Sequence, residues 1–423
     1  MPIQATPAGA AHAAHAADSA DFEQARQLFV DGLADLLAGR LNEAEQRFNA
    51  SLALLPDRVS TLVNLAAARL GLSRPDAALE AIDRLLAIEP DNVEGWFHRG
   101  GAMTQLNRWD EALRSFERAG TLSPTFAEPW FHHGQVLQRL DRDAEAMRSY
   151  ERAVAAYARF APAWTNIGTL LRETGRIGEA AKAFRKARES GADDELNDYY
   201  LAAVAGAGAT VPTTAPAGYV ETLFDDYAGV FATHVVEALD YRAHRTLAQT
   251  LQQIAPQRRF RRTLDLGCGT GLCGVLLKPS TGQLCGVDLS AGMLAEAEAT
   301  QVYDVLVKQD IVEFMTLEAS TFDLVTAADV FIYVGDLSPA FAAVRKVLER
   351  DGIFCFSVEL AAAEDTEFEL LPSLRYAHGE RYLRKLAGDH GFHVMQTLRG
   401  QIRHDQRQPV KGLFMFLTID DSR

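Results

Sequence analysis

Leu264-Asp265-Leu266-Gly267-Cys268-Gly269-Thr270-Gly271-Leu272 decides how the second half of this chain folds. A run of strand character enters it and a helical run leaves it. The glycines between them carry no Cβ, so the backbone can turn tightly and come close to a ligand. Seventeen residues after Gly271, Asp288 ends a second strand-like run, Gly286-Val287-Asp288-Leu289-Ser290. A carboxylate at a strand end can accept both hydroxyls of a ribose. A parallel sheet would bring that acid beside the glycine turn, in the crevice where the strand order reverses.

Outward from this stretch, TLDLG (263–267), QLCGVDL (283–289), YDVLVKQD (303–310), FDLVTAADV (322–330) and GIFCFSVE (352–359) alternate with helical segments. That alternation predicts a parallel sheet covered by helices on both faces. FHVMQTL (392–398) and GLFMFLTI (412–419) follow with no helix between them, so they are expected to pair antiparallel at one edge.

The first half has a different grammar. Trp96, Trp130 and Trp164 recur every 34 residues, and so do Gly100, Gly134 and Gly168. Ala44, Ala78, Ala112, Ala146 and Ala180 keep the same step, each followed four residues later by Phe48, Ile82, Phe116, Tyr150 or Phe184. Pro56, Pro90 and Pro124 close the first three units, while Ala158 and Ala192 hold the equivalent place in the last two. Such a period implies stacked pairs of short helices, in which small residues allow close approach and an aromatic ring fills the groove. The first unit is worn, with Leu28 in place of Trp and Asp35 at a usually apolar place. The three tryptophans are expected to be core packing. Asn64, Arg99, His132, His133 and Asn166 are candidates for the concave face, where solenoids usually bind an extended peptide or protein.

The expected organisation is a disordered Ala-rich leader over residues 1–20 and a solenoid of about five repeats plus a capping helix over 21–205. A linker over 206–217 and an α/β domain over 218–423 follow. At 423 residues the chain has room for two or three domains, and no apolar run approaches the roughly 18–20 residues of a membrane helix. A net charge of -15 disfavours general nucleic-acid binding. The basic group Arg258, Arg259, Arg261 and Arg262 is therefore expected to be solvated surface. Cys268, Cys273, Cys285 and Cys355 form no metal-ligand pattern and read as free thiols of a reducing, cytoplasmic compartment; no metal is expected.

Trp-x-x-x-Gly, Ala-x-x-x-Phe and Pro at a 34-residue period resemble the tetratricopeptide repeat over roughly residues 25–194. In the second half, Gly269-Thr-Gly271-Leu-Cys-Gly274 formally matches the dinucleotide fingerprint G-x-G-x-x-G. The fuller string D-L-G-C-G-T-G resembles the first motif of class I S-adenosylmethionine-dependent methyltransferases and is more specific. That resemblance implies an S-adenosylmethionine site made of Asp265, Leu266, Gly267, Cys268, Gly269 and Gly271. Asp265 would help hold the amino group, and Asp288 with Leu289 would hold the ribose. Met293 would lie beside the adenine and Asp310-Ile311 at its amine. Phe224-Asp-Asp-Tyr227-Ala, with Phe231 and Leu239-Asp-Tyr241, resembles the lid helix of methyltransferases that act on small molecules, so Tyr227 joins the cofactor set. Arg375-Tyr-Ala-His378 and Ile402-Arg403 resemble a bacterial group of methyltransferases carrying tetratricopeptide repeats.

Methyl transfer needs alignment above all, and a general base only where the acceptor keeps its proton. Asp329, Tyr333 and His378 are the acid–base candidates, with His234 more plausibly structural. Arg375, His378 and Arg403 are expected to form a cationic patch for an anionic substrate such as a carboxylate. Ala328-Asp329-Val330-Phe331 stands where adenine- and glutamine-N-methylating enzymes carry an Asn/Asp-Pro-Pro-Tyr/Phe tetrad, which speaks against those substrates. The function implied is methyl transfer to a small-molecule or glycan-like acceptor, with the repeats recruiting a protein partner. The alternatives are a protein methyltransferase whose groove presents the substrate, or a non-catalytic adaptor.

Overall fold

The computed structural model describes residues 8–192, 194–206, 210–233, 240–363, 365–405 and 408–419. The chain divides into two compact units, Met1–Ala192 and Asp193–Arg423.

The first unit is built from helix pairs. They are α1 (Ala8–Leu37) with α2 (Leu41–Leu54), α3 (Val59–Gly71) with α4 (Pro75–Ile88), and α5 (Val93–Gln105) with α6 (Trp109–Leu122). Two further pairs follow: α7 (Ala127–Arg139) with α8 (Asp143–Ala156), and α9 (Ala161–Glu173) with α10 (Ile177–Glu189). From Leu41 onward both helix starts advance by 34 residues, as the sequence period requires. The turn inside each pair has one residue in the left-handed region, Gly39, Ser73, Asn107, Asp141 and Gly175, again 34 apart. Glycine and short polar residues tolerate that conformation best, so the turn chemistry repeats with the packing.

A Cβ on Gly100 or Gly134 would lie 2.5 Å from Phe116 or Tyr150, and one on Gly168 would lie 2.6 Å from Phe184. Missing side chains thus make the slots that the aromatic rings fill, each ring contributing about 1.5–3 kcal/mol by burial. Trp96 and Trp164 are half-buried, and their indole N–H groups donate to Pro90 O and Ala158 O at 2.8 Å, pinning the preceding turn. Asp35, at its unusual place, is buried and ion-paired with Arg40 and Arg47 at 2.7 and 2.6 Å. Two of the concave-face candidates are engaged by other residues of the solenoid: Arg99 pairs with Asp83, and His133 Nδ1 bonds Ser149 Oγ. The leader, expected to be disordered, is helical from Ala8, in keeping with alanine being the best helix former.

The second unit opens with α11 (Asp194–Ala205), α12 (Ala217–Thr233) and α13 (Ala243–Ile254). Strands and helices then alternate: β1 (Phe260–Leu266), α14 (Leu272–Leu277), β2 (Thr281–Asp288), α15 (Ala291–Ala299), β3 (Val305–Lys308), α16 (Ile311–Leu317), β4 (Phe322–Ala327), α17 (Ser338–Val347) and β5 (Leu348–Leu360). Strands run parallel in the order β3-β2-β1-β4-β5. A short hairpin, β6 (Phe368–Leu370) and β7 (Tyr376–His378), then α18 (Glu380–Asp389), precede β8 (Phe392–Asp405) and β9 (Gln408–Ile419). β9 pairs antiparallel with both β5 and β8, as the two C-terminal runs predict. Successive residues of β5 serve opposite cores: Phe354 and Phe356 face Phe341 and Leu383, while Ile353 and Cys355 face Leu247 and Leu251. The four arginines before and in β1 are largely engaged locally. Arg258 bonds Asp351 O, Arg261 pairs with Glu349, and Arg262 lies over the Phe322 ring.

One boundary differs from expectation. Helix α11, expected to cap the solenoid, packs in the second unit. Tyr199 is fully buried with Ala215, Leu370, Leu374 and Tyr376. The expected linker belongs there too: Ala215 N–H donates to Tyr333 O at 2.9 Å, and Gly335 N–H to Thr213 O at 2.8 Å. Two aromatic residues, Tyr199 and Tyr376, outweigh the polar look of the intervening stretch.

Gly134→Val is expected to lower the stability of the first unit by about 1–3 kcal/mol, because the buried Tyr150 ring has nowhere to go. Thermal unfolding checks this, and Gly178→Val, at a site with open space around it, should not reproduce the loss.

Candidate active site

The register pairs Leu266 with Val287 on one side and with Ala327 on the other. Gly267, Asp288 and Ala328 therefore leave their strands along one carboxyl edge. A cavity of about 780 Å³ opens there, within the roughly 300–1,000 Å³ of small-molecule sites. Its walls come from the glycine turn, the ends of β2 and β4, the start of α16, Arg375 and Arg403, with Val220, Leu223 and Phe224 of α12 over them.

Gly267, Gly269 and Gly271 all have left-handed backbone, with φ of 58°, 53° and 87°. They are not equivalent. A Cβ on Gly267 would lie 2.5 Å from Val330, and one on Gly271 would lie 3.1 Å from Tyr303. At Gly269 a Cβ would meet nothing within 4 Å, and this residue borders the cavity. The middle glycine thus leaves room that any side chain would fill. Gly274, the last glycine of the dinucleotide-like pattern, is packed against the Tyr303 ring instead.

Asp288 Oδ2 accepts from Gly269 N–H and Oδ1 from Ser290 N–H, both at 2.9 Å. Burial pushes its pKa up, and those amide bonds oppose the rise. Each oxygen keeps a lone pair for one further donor, so the group suits a pair of neighbouring hydroxyls. Leu289, Met293, Asp310 and Ile311 continue this wall. Asp310 Oδ1 caps α16 through Val312 and Glu313 N–H at 2.9 Å. Helix α12 is tied down over this end, because Asp225 Oδ1 accepts from Ser290 Oγ at 2.5 Å and Gly292 N–H at 3.0 Å. An open glycine, a ribose-suited carboxylate and an apolar wall together fit an adenine nucleoside.

Four of the expected cofactor residues do not reach the cavity. Asp265 is aligned in the sheet with Gly286 and Thr326, and its carboxylate accepts from Tyr303 OH at 2.7 Å and Thr326 Oγ1 at 2.8 Å. It is 1% exposed, and burial pushes its pKa up to about 6. Leu266 lies in the core, and Cys268 is buried with Sγ in the space over Gly286. Gly271 caps α14. The side chain of Tyr227, and His234 altogether, lie outside the described residues.

The other end of the cavity carries charge. Asp329 follows β4 with φ of 62°, its N–H held by Ser357 Oγ at 2.9 Å. Both its oxygens accept from Arg403 Nη1, at 2.9 and 2.7 Å. Arg403, on β8 and 3% exposed, is also ion-paired with Glu359 on β5. Burial opposes the guanidinium charge, but Asp329 and Glu359 outweigh it and hold the pKa above the ordinary value. Burial pushes the Tyr333 phenol up, with Arg375 opposing. The Tyr333 ring meets Phe224 edge-on at 5.5 Å. Arg375 donates to Asp405 at 3.1 Å, and Asp405 is 43% exposed.

His378 departs from its expected place. It sits in β7, three residues beyond Arg375, and an odd separation in extended chain sends side chains to opposite faces. It is fully buried, and Nε2–H donates to Val334 O at 2.9 Å and Gly335 O at 3.0 Å. Burial pulls its pKa down to about 4, so it is neutral and holds the loop after β4 in place. The cationic patch therefore loses one member, and Arg403 is committed to two carboxylates. The sequence reading missed Glu195, Thr214 and Ala215, which line the cavity from the stretch taken for cap and linker.

The family model for methyltransferase domains matches residues 264–356, and that for tetratricopeptide repeats matches residues 63–125 and 132–195. A malonyl-[acyl-carrier protein] O-methyltransferase of Enterobacter lignolyticus (strain SCF1) is 32% identical over 191 residues, covering 41% of this chain and 73% of that protein. The arginine-hydroxylase NDUFAF5, mitochondrial, of Homo sapiens is 34% identical over 125 residues, covering 29% of this chain and 35% of that one. Among solved structures, an S-adenosylmethionine-dependent methyltransferase from Clostridium acetobutylicum ATCC 824 aligns at 19% identity and a TM-score of 0.35, covering 47% of this chain and 99% of its own. The chain belongs to the S-adenosylmethionine-dependent methyltransferases, with a tetratricopeptide-repeat region preceding the catalytic fold.

Asp265 has a measurable signature. Its folded pKa, about 6, lies above the ordinary 3.8, so the folded state binds its proton more tightly. The stability this gives is full below the ordinary pKa and is lost as pH rises through about 6. Compared with Asp265→Asn, the wild type should lose on the order of 3 kcal/mol between pH 4 and 7. Denaturant unfolding of both proteins across that range checks the sign.

Proposed function

We propose that the second unit binds S-adenosylmethionine with its ribose on Asp288 and its backbone-facing side on Gly269, and methylates a carboxylate oxygen of a small acceptor. Leu289, Met293, Asp310 and Ile311 would form the adenine end. Arg375 and Tyr333 would hold the acceptor. Bound there, S-adenosylmethionine supplies a methyl group on a sulfonium sulfur, whose displacement by an anionic oxygen releases a neutral thioether and no proton.

The state of the acid–base candidates carries this reading. Asp329 has both oxygens on Arg403, Tyr333 is held in its phenol form, and His378 lies away from the cavity wall. None of these three is free to take a proton, so a neutral sugar hydroxyl or an ammonium acceptor would find no base among them. A carboxylate is already ionised at pH 7 and needs none. Arg375 supplies a forked donor for it, and the half-exposed Asp405 is a partner it can exchange. The Enterobacter relative, by its name, methylates an oxygen of a malonyl group carried on a protein. The repeats are proposed to recruit a protein partner, in keeping with the common use of such solenoids.

Labelled methyl transfer from S-adenosylmethionine into a cell extract tests the acceptor. The label is expected in the low-mass fraction and to distil as methanol after mild alkali, as a methyl ester requires. Alkali-stable label would overturn the carboxylate assignment, and labile label on protein would support the alternative of a protein substrate. Arg375→Met should cost about 10- to 100-fold in kcat/KM for the acceptor, the loss of a charged hydrogen-bond pair.

A further inference from the structure

We infer that Tyr199, on the helix that directly follows the repeats, is a positioning residue for the acceptor end of the cavity, acting through Leu374 on Arg375. The inference rests on the acceptor role proposed for Arg375. Tyr199 lies in α11, 175 positions before Leu374 in the chain, and its hydroxyl donates to Leu374 O at 2.7 Å. That carbonyl belongs to the peptide group joining Leu374 to Arg375. The bond therefore fixes the plane from which the Arg375 side chain departs into the cavity wall.

Leu374 needs such a hold. Its φ is +63°, in the left-handed region that a leucine rarely adopts. Leu374 N–H donates to Leu371 O at 2.9 Å, and Leu371 N–H to Arg375 O at 2.8 Å, which closes the β6–β7 hairpin around this residue. The Leu374 side chain is buried beside Tyr199, so the strained backbone is clamped from both its side chain and its carbonyl. A ring alone would satisfy the packing, since Tyr199 lies 5.7 Å from Tyr219 and 6.2 Å from Tyr376. The hydroxyl has no role in that packing; its partner is the one carbonyl next to Arg375. Tyr376 OH holds Pro212 O at 2.8 Å in the same way, and the following residues bind the Tyr333 loop. The stretch from α11 to α12 thus sets both acceptor-side groups, Arg375 through Tyr199 and Tyr333 through Thr213 and Ala215.

Tyr199→Phe in the full chain tests this, with a malonyl thioester as acceptor probe and amide hydrogen exchange as a readout independent of any acceptor. Loss of the bond is expected to raise KM for the probe about tenfold with kcat within about twofold, and to speed exchange in residues 371–376 about tenfold. Affinity for S-adenosylhomocysteine should stay unchanged. Leu374→Gly removes the backbone strain, so Tyr199→Phe should cost less in that background. Unchanged KM and exchange in Tyr199→Phe would overturn the inference, as would a full penalty in the Leu374→Gly background. If Tyr199→Phe does not fold, hydrogen exchange of the wild type decides instead: slow exchange is expected at the Leu371 and Leu374 amides, which are bonded to Arg375 O and Leu371 O, and exchange there at the rate of an open loop would overturn the inference. A wild type inactive on every carboxylate probe would overturn the acceptor assignment instead, leaving the exchange result to decide whether Tyr199 holds the Arg375 backbone.

Discussion

The bond from Gly269 N–H to the Asp288 carboxylate ties together everything on the catalytic side. It spans two strand ends, and it exists only because three left-handed glycines let the chain fold back over the tip of β1. A side chain at Gly267 would strike Val330, and one at Gly269 would enter the cavity. The same bond presents the acid to the cavity with capacity left for two hydroxyl donors. The parallel register of β1 with β2 and β4 then brings the proposed adenine and acceptor ends to one edge.

At the end of the cavity proposed to hold the acceptor, the balance of buried charge constrains the chemistry. One guanidinium, Arg403, faces two carboxylates, Asp329 and Glu359. Breaking a buried network of this kind is costly, because each charge left alone has lost its water. The triad therefore holds the ends of β4, β5 and β8 together and engages both Asp329 oxygens. Arg375, whose carboxylate partner is half-exposed, is the cation better able to exchange partners. Under the proposed function, reactivity depends on placing an acceptor that is already an anion, which moves the burden from acid–base catalysis to alignment.

Much of this was legible in the sequence where one physical cause repeats or acts locally. The solenoid could be read because the same glycine-for-ring exchange recurs at 34-residue steps, and the helix starts follow it. The strand runs and the antiparallel C-terminal pair were readable from length and apolar content. What escaped depends on contacts far apart in the chain. Asp265 and Asp288 look alike as strand acids, but pairing beside Thr326 buries the first while the second ends its strand at the cavity. Arg375 and His378 could share a patch only in a helix or turn, and strands of three residues are too short to announce themselves. The Arg403 triad joins residues 74 and 44 apart. Helix α11 looks like one more repeat helix until Tyr199 finds Leu374.

The most direct measurement is calorimetric titration of S-adenosylhomocysteine into the wild type and Asp288→Ala. Saturable binding of one ligand per chain is expected, weakened at least about 100-fold by the substitution with the melting temperature preserved, since the ribose loses a charged acceptor for two hydroxyls. Equal affinity in the two proteins, or no binding to the wild type at millimolar ligand, would contradict the account.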